Sequence, residues 1–114
     1  MNNIKIKLKT TELQREALDR MVAKCELGEA INEIDDPHFY STDWALAGPI
    51  IEREKLCITA SVEGDWTAFC VSDEMDMQWI CRGPTPLIAA MRCYVASKLG
   101  DEVEVPEELK GVTA

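Results

Sequence analysis

LCITASVEGDWTAFCVSDEMDMQWICRGPTPLIAAMRCYVASKLG, residues 56–100, holds three β-type runs followed by one helical run. The runs 56–62, 66–72 and 77–82 are rich in β-branched and aromatic residues, and the polar groups Glu63-Gly64-Asp65 and Asp73 to Asp76 separate them. Such spacing predicts strands joined by short turns, a three-stranded antiparallel meander. Gly83-Pro84 then breaks the third strand. Thr85 can cap a helix that Pro86 opens and Gly100 stops, with Leu87, Ile88, Met91, Val95 and Leu99 on one face. A meander running straight into a long helix predicts an α+β domain.

Outward from that stretch the pattern is less regular. Ile4, Ile6 and Leu8 alternate with Lys5 and Lys7, the period of a half-buried strand, and the lysines suit an edge of the same sheet. Thr11 and Gln14 have capping-box spacing, and Leu13, Ala17, Leu18, Met21, Val22 and Cys25 follow at helical intervals, predicting a helix over about 11–26 that ends at Gly28. Residues 29–42 read as a loop. Asp43 is the expected cap of a short helical turn that Trp44 anchors in the core, with Gly48 and Pro49 dividing this segment into two turns. The expected architecture is a small antiparallel sheet, the meander plus an N-terminal edge strand, packed on two main helices. A single domain over 1–114 is expected, with 106–114 a frayed acidic tail.

Bulk composition narrows the function classes. Hydrophobic residues make up 46% of the 114, a globular proportion, while 21 acidic against 12 basic residues give a formal net charge of -9. A field of that sign opposes direct contact with nucleic acid and with anionic membranes. No apolar run approaches the ~18 residues of a membrane span. The five cysteines, at 25, 57, 70, 81 and 93, form no C-x-x-C pair and His38 is the single histidine, so no metal site and no cofactor are expected. Free cysteines in apolar segments suit a reducing cytosol.

Catalytic constellations are sparse. Glu52-Arg53-Glu54-Lys55 places an arginine where a nuclease-type motif would want a carboxylate two residues before its lysine, and residues two apart on a helix diverge. His38 is the one available general base, in a loop beside Pro37 and Phe39. The common hydrolase, P-loop and dinucleotide fingerprints are absent. No catalytic residue is assigned, and an enzyme is the less favoured reading.

The turn Arg82-Gly83-Pro84-Thr85-Pro86 carries more chemistry. It presents a helix N-terminus with backbone amides and a hydroxyl beside one cation, and Arg92 lies about two turns further along. Arg82, Gly83, Thr85 and Arg92 are therefore the expected ligand-binding residues for a small anion. Trp44 and Trp79 are candidates to stack on a base if the ligand is nucleotide-like.

Three segments, KTTELQREALDRMVAKCEL from Lys9, STDW from Ser41 with GPIIERE from Gly48, and GPTPLIAAMRCYVASKLGDEVEVPEEL from Gly83, resemble the NinX-like proteins of lambdoid phages over essentially the whole chain. What the resemblance implies is a setting, expression in the cytoplasm of an infected bacterium, and it implies no catalytic residues. In that setting the expected role is a non-catalytic accessory, a counter-host factor that binds a small anionic, nucleotide-like ligand or a host protein. The alternative is an acidic modulator of a nucleic-acid-processing protein, with a small hydrolase third and a homodimer left open.

Overall fold

The computed structural model describes residues 5–13, 15–27, 39–71 and 77–106. In chain order the elements are β1 (Lys5–Lys9), a 3-10 turn (Thr10–Glu12), α1 (Arg15–Leu27), α2 (Trp44–Glu54), β2 (Cys57–Ala60), β3 (Trp66–Val71), β4 (Met77–Gly83), α3 (Pro86–Leu99) and β5 (Glu102–Pro106). The fold is α+β, with a three-stranded sheet in the order β2-β3-β4 and a separate two-stranded sheet of β1 and β5, both antiparallel.

Helix α3 organises the molecule. Every residue from Ala89 to Ala96 is buried, so the helix is enclosed on all sides rather than on the single face its large residues suggest. Ala89, Ala90, Cys93 and Ala96 are small enough to let α1, α2 and the sheet approach together. Its N-cap is Thr85, whose Oγ1 accepts from the Ile88 amide at 3.1 Å, and Gly100 ends it at a φ of 93°. Leu13, Leu18, Val22, Leu87, Met91 and Val95 enter one core as expected, with Ile88 packed at its margin. Leu99, expected on the same face, is 38% exposed because the helix's last turn passes beyond the core.

Four expectations are corrected. The N-terminal strand does not extend the meander: β1 pairs with β5 instead, from Lys5↔Pro106 to Lys9↔Glu102. Thr10 fastens this sheet to the end of α3, donating its hydroxyl to the Gly100 carbonyl at 2.7 Å and its amide to Asp101 at 2.8 Å. Thr11 is not a helix cap, because Thr10–Glu12 forms a 3-10 turn, Leu13 is extended, and α1 starts only at Arg15. Gln14, Gly28, His38 and the tail from 107 lie outside the described residues.

Helix α2 is continuous through Gly48 and Pro49. The residue before a proline is normally pushed out of the helical region by its own Cβ, and glycine lacks one. Pro49 cannot bond the Ala45 carbonyl, but both residues are exposed, so water can serve that carbonyl, while burial of Ala47 and Ile50 holds the helix together. Asp43 caps it as expected, Oδ1 accepting from the Ala45 amide at 2.9 Å. Trp44 does not anchor it: the side chain is 55% exposed, since the core-facing stripe begins at Leu46 and Ala47.

Candidate functional site

The end of β4 and the start of α3 meet at Gly83. A Cβ there would lie 2.7 Å from the Ala89 amide nitrogen and 3.0 Å from Ile88 Cγ2, so glycine alone lets the strand end rest against the first helical turn. Beside this junction opens a cleft of about 530 Å³, in the size range of small-molecule sites, between Thr11 of the 3-10 turn and Ile80, Arg82 and Pro84, with Asp65 contributing from β3's approach. Gly83 and Arg92, both buried, form its inner wall.

Arg92 reaches that wall from α3. Its Nε donates to the Leu13 carbonyl at 2.6 Å and its Nη1 to the Arg82 carbonyl at 2.7 Å, tying the 3-10 turn and β4 to the helix. Only 9% of the residue is exposed, and no carboxylate hydrogen-bonds or ion-pairs with it among the described residues. A guanidinium carries five N–H donors, of which these two bonds use two; Nη2 has no acceptor among the described residues. Burial lowers its pKa from the ordinary value, since the charge is desolvated, and Cys81 and the Glu12 carboxylate of the 3-10 turn act against that shift without an ion pair to it.

Arg82 is differently placed. Half exposed, its Nη2 donates to Glu63 Oε2 at 2.5 Å and to Asp65 Oδ1 at 2.8 Å. The arginine beside it, and secondly the Ser61 hydroxyl donating at 2.6 Å, hold the Asp65 carboxyl below its ordinary range. Ser61 also organises the turn, accepting from the Glu63 amide at 3.0 Å and leaving Gly64 at a φ of 97°.

The structure thus brings Arg82, Gly83 and Arg92 to one cleft. Thr85 is placed as the helix cap, its hydroxyl and carbonyl engaged by Ile88 and Ala89, and Pro86 has no amide, so Leu87 supplies the one first-turn amide without an acceptor among the described residues. Neither Trp44 nor Trp79 lines the cleft. Trp79 sits in a β-bulge: Ala68 faces Cys81 and Cys70 faces Gln78, so Phe69 opposes both Trp79 and Ile80, and Trp79 takes a φ of 54°, strained for an aromatic residue. Sequence reasoning missed Asp65, Thr11 and Ile80. Their nearness to Arg82 and Arg92 is set by the sheet register and the 3-10 turn, which spacing along the sequence does not signal.

A second polar cluster joins the three helices. Arg53 forks onto Glu26 at 3.1 and 2.6 Å and bonds Glu54 at 2.8 Å, Lys98 reaches Glu54 at 2.9 Å, and the buried Tyr94 hydroxyl donates to Glu26 beneath the two cations. Arg53 foremost pulls the Glu26 and Glu54 pKa values down, and burial pushes Tyr94 up. Each carboxylate has its partners within the cluster, as in a clasp between helices. The Cys81 and Cys93 thiols are buried, and burial raises Cys25 and Cys81 to about 11. Among the described residues no group of His, Cys, Asp or Glu is placed to hold a metal ion, and no helix is long and apolar enough to cross a membrane.

The family model described as Bacteriophage P22, NinX matches residues 9–98. No curated protein matches the chain.

Proposed function

This chain belongs to the bacteriophage P22 NinX family, and from that premise we propose that it is a non-catalytic accessory protein that works in the host cytoplasm as a counter-host factor, by binding a small anionic ligand in the cleft beside Gly83. The observation that carries the reading is Arg92. A guanidinium nine-tenths buried, with no carboxylate ion-paired to it among the described residues and with donors unspent at the wall of a cleft, is a site whose stability improves when an anion arrives. The Leu87 amide, at the positive end of α3, adds to the same field.

The ligand class is phosphate-bearing and nucleotide-like. Ile80, exposed at the cleft mouth, offers an apolar surface for a base in place of the two tryptophans, which lie elsewhere. A thermal-shift screen against nucleotides and phosphorylated metabolites tests this, since a ligand of the folded state at a hundred times its Kd stabilises by about 2.7 kcal/mol. A hit whose effect disappears in Arg92→Met supports the cleft; a screen without any hit removes it.

A second reading is favoured by the net charge of -9 together with Trp79 and Ile80, 40% and 54% exposed at the bulge. An acidic surface with an apolar centre suits docking to a basic host protein, including one that processes nucleic acid. Retention of such a partner by the wild-type chain and its loss in Trp79→Ser would favour that reading.

A further inference from the structure

Two carboxylates already stand at the cleft. Arg82 and Arg92 contribute two positive charges, Glu63 and Asp65, both bonded to Arg82, contribute two negative ones, and Glu12 of the 3-10 turn adds a third negative charge that acts on Arg92 without an ion pair to it. Locally there is no net positive charge, within a chain whose net charge is -9. Arg82, Arg92, Glu63 and Asp65 are not equally held. Arg92 is fixed by two carbonyls and burial, and Asp65 by the Ser61 hydroxyl, whereas the Glu63 side chain is 69% exposed and touches the site only through Arg82, itself half exposed.

We infer that the 61–65 turn is a built-in competitor for the ligand: its carboxylates engage Arg82 when no anion is bound, and a phosphate-type anion takes Arg82 over while Arg92 stays in place as the fixed anchor. The inference rests on the reading of this cleft as an anion site. An exposed ion pair contributes little net stability, so exchanging Glu63 for a ligand oxygen on Arg82 costs little. Since the cleft carries no net positive charge before binding, a singly charged carboxylate gains less than a group carrying two or more charges, and the site selects pyrophosphate-like groups over monoanions. Glu63 is the arm that gives way, because Asp65 is held by Ser61.

Isothermal titration with sodium pyrophosphate, at constant ionic strength and pH 7, tests the turn. Glu63→Gln is expected to lower Kd by about three- to tenfold, the effect of removing one nearby charge at a solvent-screened site. Glu52→Gln, which makes the same change in net charge on α2 away from the cleft, is expected to leave Kd within twofold of wild type. Asp65→Asn keeps an acceptor for Ser61 and is expected to tighten binding as well. Acetate is expected to bind at least tenfold more weakly than pyrophosphate. Equal Kd values for wild type and Glu63→Gln, or equal tightening by Glu52→Gln, overturn the competing turn while leaving the cleft as an anion site. Pyrophosphate binding to none of the variants overturns the cleft itself and the turn with it.

Discussion

Replacing Gly83 by alanine probes the junction on which the cleft depends. The added Cβ would stand 2.7 Å from the Ala89 amide nitrogen, against the 3.4 Å or more of an ordinary contact, and 3.1 Å from the Ala89 Cα. Both atoms are backbone in the first turn of α3, so neither can rotate aside, and Ile88 Cγ2 at 3.0 Å closes the remaining direction. The strand end and the helix must separate by several tenths of an ångström, beside the buried Leu87 and Ala89 of the core. Overpacking of this kind costs about 1–3 kcal/mol. For a chain of this length that is a fall in melting temperature of roughly 4–12 °C, read by calorimetry or circular dichroism. Urea unfolding should show a lower midpoint with an unchanged slope, since the native surface is little altered. Because Arg92 bonds the Arg82 carbonyl next door, the same variant should also lose ligand stabilisation in the screen. A Gly83→Ala protein that melts with wild type would refute the close approach of β4 and α3.

Met91, fully buried in α3, should cost about 2–5 kcal/mol when replaced by alanine, measured by urea unfolding. Asp43→Ala should lose about 0.5–2 kcal/mol through the missing cap at Ala45, whereas Asp43→Asn, which keeps the acceptor, should lose less. The helix clasp should make stability pH-dependent in one direction. The folded pKa values of Glu26 and Glu54 lie below the ordinary 4.5, so their contribution is complete above about pH 4.5 and is lost as pH falls through the depressed values. Arg53→Met, melted from pH 7 to pH 2.5, should therefore differ from wild type at neutral pH and converge with it at the acid end; a constant difference would remove the clasp's ionic character.

Local signals account for what was legible in the sequence. Thr85, Pro86 and Gly100 bound α3 because caps, fixed φ and a positive φ are properties of single residues, and the meander followed from apolar runs and polar turns. What stayed hidden depends on distant partners. The period of β1 identifies a strand but says nothing of β5, which meets it from the far end of the chain. The same limit explains α2: Gly48-Pro49 is a stop signal locally, and burial of Ala47 and Ile50 overrides it. At the site, Arg82, Gly83 and Arg92 were found because they flank one turn and one helix. The Glu63 and Asp65 carboxylates that engage Arg82 reach it across the sheet, a proximity set by register and not by spacing.

The central claim, that Arg92 anchors an anion in this cleft, is tested most directly by nuclear magnetic resonance of its Nε–H together with the Leu87 amide during a pyrophosphate titration. The account predicts that both signals shift and saturate at one common Kd, with the amides of Asp43, the cap of α2, and of Ala45 within it unchanged as internal controls. Shifts confined to surface lysines, or an Arg92 Nε–H that does not move while pyrophosphate binds elsewhere, would contradict it.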